Sequence, residues 1–486
     1  MSKVWVSDVV TREEIEKWNA GDIITIASGT GGGKSHFVKY SLHDYAKEND
    51  LKILMLIHRR SCVEQFLVEL KKENIELEHL HIKTYQSLEA RGRRKEDLMI
   101  DQYDIIVADE FHYFLSDSSY NHYCDISLEG ILSQGEAIRI FMSATGDNMK
   151  YYLKNEKHKG LTTIDYTIPN SHKHIKRLEF FYKDETLETY IEDAINTGQK
   201  AIFFIQSAKK AYELHKKYKE NTVFNCSKGN PYYKYVNEGL IKEILKKERF
   251  DEQILITTQA FDAGINLKDR SLHHIVVDVD DVGSLIQCIG RKRMQYEDDY
   301  IILHIKALSN KRLGGIYSSL VEKLEMPVEM YKNGDKSMID KFYRSLTNSY
   351  MIYDTLDENG NIKKKLNEMM FFKTIADITE IKKIINKGRY GYCLYISKLL
   401  NSKYQIYEEE DSKMKLENYL EKITGHKLLK EDQIELIDQI DLRVNGRKQR
   451  SYKKLNEGLE MIKLKYMILP KRTNKERYWE VHKLEE

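Results

Sequence analysis

Eight residues, Ser28-Gly29-Thr30-Gly31-Gly32-Gly33-Lys34-Ser35, constrain the fold more than any other stretch of this chain. They follow an apolar run, Ile23-Ile24-Thr25-Ile26-Ala27, that reads as a buried strand. They precede a pattern in which Phe37, Val38, Leu42, Tyr45 and Ala46 recur at helical spacing. Strand, glycine-rich turn, Gly-Lys-Ser, helix is the order of a phosphate-binding P-loop, although Ser28 stands where that pattern usually has glycine. Glycines let successive backbone N–H groups curl around an anion without Cβ clashes, and the helix N-terminus favours negative charge. In this arrangement Gly29, Thr30, Gly31, Gly32 and Gly33 cradle phosphates. Lys34 reaches the β- and γ-phosphates of a nucleotide, and Ser35 offers its hydroxyl to Mg²⁺. A flexible turn before an ordinary helix is the alternative, and it needs the rest of the chain to be uninformative.

The rest is not uninformative. Asp104-Ile105-Ile106-Val107-Ala108 reads as a strand delivering Asp109-Glu110-Phe111-His112. A carboxylate at a strand end beside a P-loop is the usual partner for Mg²⁺. Two adjacent carboxylates allow separate roles, Asp109 on the metal and Glu110 polarising the attacking water as general base. A further strand, Ala137–Met142, ends in Ser143-Ala144-Thr145, hydroxyls able to bond both the carboxylates and a neighbouring domain. Between these segments, Ile53–Ile57 leads to His58-Arg59-Arg60-Ser61, and Leu80–Lys83 leads to Thr84-Tyr85-Gln86-Ser87. Ligands gather at such strand ends in open α/β sheets. Arg59 and Arg60 are read either as contacts to a phosphate backbone or as a solvated basic turn. Arg91-Gly92-Arg93-Arg94-Lys95 is by itself only a charged loop. Upstream, residues 11–22 read as a short helix stopped at Gly21, with Trp18 packing on it or, alternatively, flanking a nucleotide base.

Composition bounds the remaining classes. At 486 residues there is room for two or three domains, and 41% hydrophobic with 32% charged residues suits a folded globular chain. No apolar run approaches the roughly 18–20 residues of a membrane span, and the N-terminus lacks the apolar core of a secretory signal, so a cytoplasmic location is expected. Five scattered cysteines without a C-x-x-C pair suggest neither zinc nor an iron–sulfur cluster. Net charge is only +2, but residues 311–486 hold 35 Lys+Arg against 28 Asp+Glu, which concentrates the basic excess in the last third.

Taken in order, Gly-rich-Gly-Lys-Ser, Asp-Glu-Phe-His and Ser-Ala-Thr resemble motifs I, II and III of superfamily 2 DExH-box helicases. His58–Ser61 and Thr84–Ser87 are similar to that family's motifs Ia and Ib. The resemblance implies a second RecA-like domain with three more motifs. Gln199–Ile205 leading into Gln206-Ser207-Ala208 looks like motif IV. Residues 253–267, with Thr257, Thr258, Gly264 and Asn266, look like motif V. Gln287-Cys288-Ile289-Gly290-Arg291-Lys292-Arg293 looks like motif VI. What the resemblance implies is ATP as the nucleotide, His112 and Gln287 as catalytic-site partners, and Gly264 and Asn266 near the nucleotide. It also implies Arg59, Arg60, Thr84, Gln86, Ser207, Thr257 and Thr258 on nucleic acid, with an arginine finger from motif VI. The family commonly spaces its two arginines as Arg-x-x-Arg, which would put the second at Met294; here Arg291 and Arg293 are both candidates.

The expected architecture is α/β. A RecA-like P-loop NTPase domain spans residues 1–170, a second spans 171–310 with a hinge near Ile168-Pro169-Asn170-Ser171-His172, and a mainly helical region spans 311–486. Two helical segments, 434–440 and 455–462, and a hairpin with a basic tip suggest a winged-helix-like, nucleic-acid-binding end, against a plain helical cap. The expected function is an ATP- and Mg²⁺-dependent helicase or translocase on nucleic acid, DNA ahead of RNA, without a membrane partner. A nucleotide-gated clamp or remodelling ATPase that recruits a partner, and an RNA helicase, are the alternatives. A small-molecule kinase would leave motifs V and VI unexplained.

Overall fold

The computed structural model describes residues 4–29, 31–168, 174–258, 266–296, 298–343, 349–356, 359–444, 447–473 and 476–484. Residues 169–172 of the hinge expected near 168–172, together with Thr30 and Gly264, lie outside them. Two parallel sheets organise the first of two compact units, which comprises residues 1–178 and 182–403. In the first sheet the strands are β1 (Ile23–Ala27), β2 (Ile53–Ile57), β3 (Leu80–Thr84), β4 (Ile105–Asp109), β5 (Ile138–Ser143) and β6 (Ile164–Thr167). They run in the order β3-β2-β4-β5-β1-β6. Parallel pairing requires helical crossovers that cover both faces, so these strands are apolar along their whole length. The alternation is still visible. Ile53, Met55, Ile57, Ile105 and Val107 pack on one side, and Leu54, Leu56, Ile106 and Ala108 on the other.

The second sheet draws on β7 (Ile175–Phe181), β8 (Lys200–Ile205), β9 (Thr222–Asn225), β10 (Ile254–Thr257), β11 (Leu272–Asp278) and β12 (Ile301–Lys306). Within it these strands run β7-β12-β11-β8-β10-β9. Both are RecA-like lobes, in tandem.

The helix Glu368–Ile385 belongs to the same unit, and its Met369 and Phe372 complete the apolar core on one face of the first sheet. An antiparallel hairpin, β13 (Ile352–Leu356) and β14 (Ile362–Leu366), interrupts what the sequence presents as a helical region. The helix expected over 11–22 is short, Arg12–Ile15. Trp18 is buried in the core with its indole N–H donating to the Tyr166 hydroxyl at 3.1 Å, a packing role.

The second unit comprises Glu179–Phe181 and Tyr404–Glu486. Helices Tyr407–Ile423, Lys430–Ile440 and Tyr452–Met461 precede the antiparallel hairpin Tyr466–Arg472 with Arg477–Lys483. Leu416, Leu420, Leu436, Leu455, Leu459, Ile468 and Val481 form its core. Three helices followed by a two-stranded wing is a winged-helix order. Among the described residues, no helix is long and apolar enough to cross a membrane.

Candidate functional site

Sheet order places the chemistry. The P-loop strand β1 and the carboxylate strand β4 both pair with β5, Ala27 opposite Ser143 and Asp109 opposite Met142. The P-loop, the Asp109-Glu110 pair and Ser143 therefore meet at the C-terminal edge of one sheet. Three glycines of the loop are required by geometry, and Gly31 has φ +76. Gly33 has φ +91, and a Cβ on Gly32 would lie 2.0 Å from Ser28 Oγ. Gly32→Ala is expected to weaken nucleotide binding about 10–100-fold, the value of one or two charge-assisted hydrogen bonds, measured by titration with a fluorescent ATP analogue.

Lys34 is buried, donating to the Ser28 carbonyl at 3.0 Å and lying 3.4 Å from Glu110 Oε1. Glu110 itself sits at φ +50, a left-handed conformation uncommon outside glycine. Burial works to raise its carboxyl, but Lys34 and then His112 overcome that and hold it well below the usual carboxylate range. Burial and the Glu110 charge instead push Asp109 up to about 7. One negative charge therefore rests on Glu110 next to Lys34. Asp109 Oδ1 and Ser28 Oγ are both buried without a hydrogen-bond partner in the protein. An orphaned carboxylate oxygen beside a phosphate loop fits a cation such as Mg²⁺. Among the described residues no cluster of three or more His, Cys, Asp or Glu could hold a metal.

The second lobe reaches the same place. The helix Val282–Ile289 carries Gln287, whose Nε2 lies 2.7 Å from His112 Nε2. An amide nitrogen only donates, so His112 Nε2 accepts and the ring proton sits on Nδ1, 2.8 Å from Ser143 Oγ. Ser143 in turn donates to Glu110 Oε2 at 3.4 Å. A hydrogen-bond chain thus runs from one lobe to the general-base candidate of the other. Arg293 donates from Nε to Asn266 Oδ1 at 2.6 Å, while its Nη1 is buried without a protein acceptor. Burial, then Arg291, push its guanidinium down to about 10, and Glu110 pulls the other way. Arg291 also acts electrostatically on His58 of the first lobe. Arg293 is thus within electrostatic reach of Glu110, and Arg291 within that of His58.

Beside this junction an open cavity of about 420 Å³ lies between the strand ends of the two lobes, lined by His58, Arg59, His112, Gln206, Thr258 and Gln287 among others. Of the residues assigned to nucleic acid, Arg59 and Thr258 line it. Gln86 Nε2 donates to the His58 carbonyl at 2.9 Å. Arg60 opens the helix Arg60–Lys72. Thr84 and Ser207 cap the helices that follow them, accepting from Ser87 N and Lys210 N. Thr257 is fully buried, its hydroxyl turned to the Thr258 carbonyl. Sequence reasoning passed over Asp117 and Tyr120, which line the cavity from a segment with no periodicity or motif. It also missed that His58 is kept uncharged: burial and Arg59 lower it to about 3.

The candidate nucleotide-binding and catalytic groups are thus divided between two parallel α/β lobes. Residues 9–148, most of the first lobe, match the family described as type III restriction enzyme, res subunit. No curated protein matches the chain in sequence. Among solved structures the chain is similar to S. cerevisiae Dbp5 bound to RNA and ADP BeF3, at 18% identity over 61% of this chain and 82% of that one, TM-score 0.44. It is similar to the Mycobacterium smegmatis helicase Lhr bound to ssDNA and AMP-PNP at 12% identity over 74% and 58%, TM-score 0.43. For the Escherichia coli DEAH/RHA helicase HrpB the values are 13%, 62% and 42%, TM-score 0.43.

Proposed function

We propose that the chain is a nucleic-acid-stimulated ATPase that moves along a strand, DNA in the first instance, with residues 1–170 and 171–310 as its two motor domains. The observation that carries this is the chain Gln287–His112–Ser143–Glu110, which ties the second lobe to the residue that polarises water in the first. Lys34 and the P-loop backbone hold the β- and γ-phosphates; Glu110 takes the proton of the attacking water; Arg291 and Arg293 meet charge developing on the γ-phosphate. Ser35 and Asp109 would hold Mg²⁺, which would supply charge neutralisation at the phosphates. Because the finger arginines sit on the second lobe, hydrolysis requires the lobes to be closed on each other, and a strand lying across both lobes in the cavity beside Arg59 and Thr258 is gripped differently before and after each turnover.

ATPase rates measured with single-stranded DNA, duplex DNA and RNA in parallel test this. Stimulation of about tenfold or more by single-stranded DNA is expected, since a finger arginine alone is worth about 10³–10⁵ in rate when correctly placed. No stimulation by any of the three removes the motor reading. A second reading, a clamp or translocating ATPase that serves a partner nuclease without separating strands, is favoured by the family match, whose description is that of a restriction-enzyme subunit. Stimulated hydrolysis with no strand displacement on forked, tailed and blunt duplexes selects it.

A further inference from the structure

We propose that a second cavity, beside the helix Tyr85–Arg93, receives one nucleobase of the bound strand, with Tyr120 as its stacking wall. This rests on the nucleic-acid reading above. The cavity measures about 340 Å³, and it shares two lining residues, Asp117 and Tyr120, with the cavity between the lobes. Tyr120 therefore stands at the partition between a place for the strand's backbone and a place beside it.

Three observations point to a base. First, Tyr120 is 87% exposed, the most exposed large apolar side chain among the described residues. A ring left in water at the rim of two cavities is a free π-face, the feature on which bases stack whatever their identity. Second, the frame around it is fixed. Asn121 Nδ2 donates to Glu89 Oε2 at 2.6 Å and to the Tyr113 hydroxyl at 3.0 Å, while Asn121 Oδ1 accepts from Tyr123 N at 3.1 Å. His122 stacks on Tyr353 with ring centroids 4.8 Å apart, and the Arg93 guanidinium lies 4.3 Å from the centre of the Tyr123 ring. The segment that carries Tyr120 is thus held on its far side, so little order has to be gained when a ligand arrives. Third, the charges suit a base and not a phosphate. Two carboxyl-bearing residues, Glu89 and Asp117, and one guanidinium, that of Arg93, line this cavity, whereas Arg59 lines only the cavity between the lobes. The phosphates belong beside Arg59, and the uncharged, flat part of the nucleotide belongs beyond Tyr120.

The test is fluorescence anisotropy at fixed salt with labelled oligothymidylate and with an abasic strand of equal length that has the same phosphates and no bases. Tyr120→Ala is expected to weaken the oligothymidylate complex about 5–100-fold and Tyr120→Phe to restore it, while wild type and Tyr120→Ala bind the abasic strand equally. Equal affinity of wild type and Tyr120→Ala for oligothymidylate overturns the base pocket, as does an equal loss on both strands. If wild type binds neither strand, the nucleic-acid reading itself falls; if wild type binds both and Tyr120→Ala behaves as wild type, only the pocket does.

Discussion

Glu110→Gln is expected to lower ATP turnover by about 10²–10⁴-fold, the range of a lost general base, with nucleotide affinity close to wild type. The amide keeps the volume and the left-handed backbone position at Glu110 but cannot take a proton. The carboxylate is the charged member of the pair, because Lys34 at 3.4 Å and His112 favour its ionised form more than burial opposes it. Its neighbour Asp109, pushed up to about 7 with an orphaned oxygen, is placed for a cation and not for water. Binding survives because the cradle is made of P-loop backbone and Lys34, which keeps its bond to the Ser28 carbonyl. Phosphate release and titration with a fluorescent nucleotide, run on the same preparation, separate the two effects. Turnover within about tenfold of wild type would remove Glu110 from the reaction. A joint loss of turnover and binding would make it a structural support for the loop.

The two α/β lobes were legible because their signals are local. A strand, a glycine turn and Lys34-Ser35 occupy neighbouring positions, and parallel strands covered on both faces read as unbroken apolar runs such as Ile53–Ile57. Ser143 was legible as a hydroxyl at a strand end, but its place between the P-loop and Glu110 depends on β5 pairing with both β1 and β4, which no single segment encodes. The strands Ile352–Leu356 and Ile362–Leu366 fall in a region expected to be mainly helical, and the second, Ile362-Lys363-Lys364-Lys365-Leu366, is rich in a residue with little strand preference. The cavity at Tyr120 escaped notice for a different reason. It is assembled from the helix that carries Glu89 and Arg93 and from a loop some 30 residues later, and the link between them is a buried carboxyl that accepts from Tyr113, Asn121 and Ser127. A buried glutamate inside a charged stretch has no mark in sequence that separates it from a solvated one.

Arg293→Ala is expected to lower kcat by about 10³-fold or more at saturating nucleic acid, a larger loss than Arg291→Ala. The sequence left both arginines open as the finger, since their spacing departs from the family's. Both carry a buried nitrogen without a hydrogen-bond partner, Arg291 at Nε and Arg293 at Nη1, and what separates them is the bond that fixes the Arg293 fork. Arg293 is pinned through Nε by Asn266 at 2.6 Å, which fixes the plane of the fork, while Nη1 is buried with no acceptor in the protein. Burial and Arg291 bring the guanidinium down to about 10, so it remains charged at neutral pH. A charged group out of water with a donor unanswered is costly unless an anion arrives, and the γ-phosphate is the anion that the opposite P-loop presents. Because that contact strengthens as charge moves onto the phosphate, the loss falls on kcat and leaves the nucleotide dissociation constant nearly unchanged. Asn266→Ala, which frees the fork without removing its charge, gives a smaller loss in the same direction. A greater loss from Arg291→Ala, or full activity in Arg293→Lys, would move the finger to Arg291, since a lysine lacks the second donor that the pinned fork leaves pointing at the phosphate.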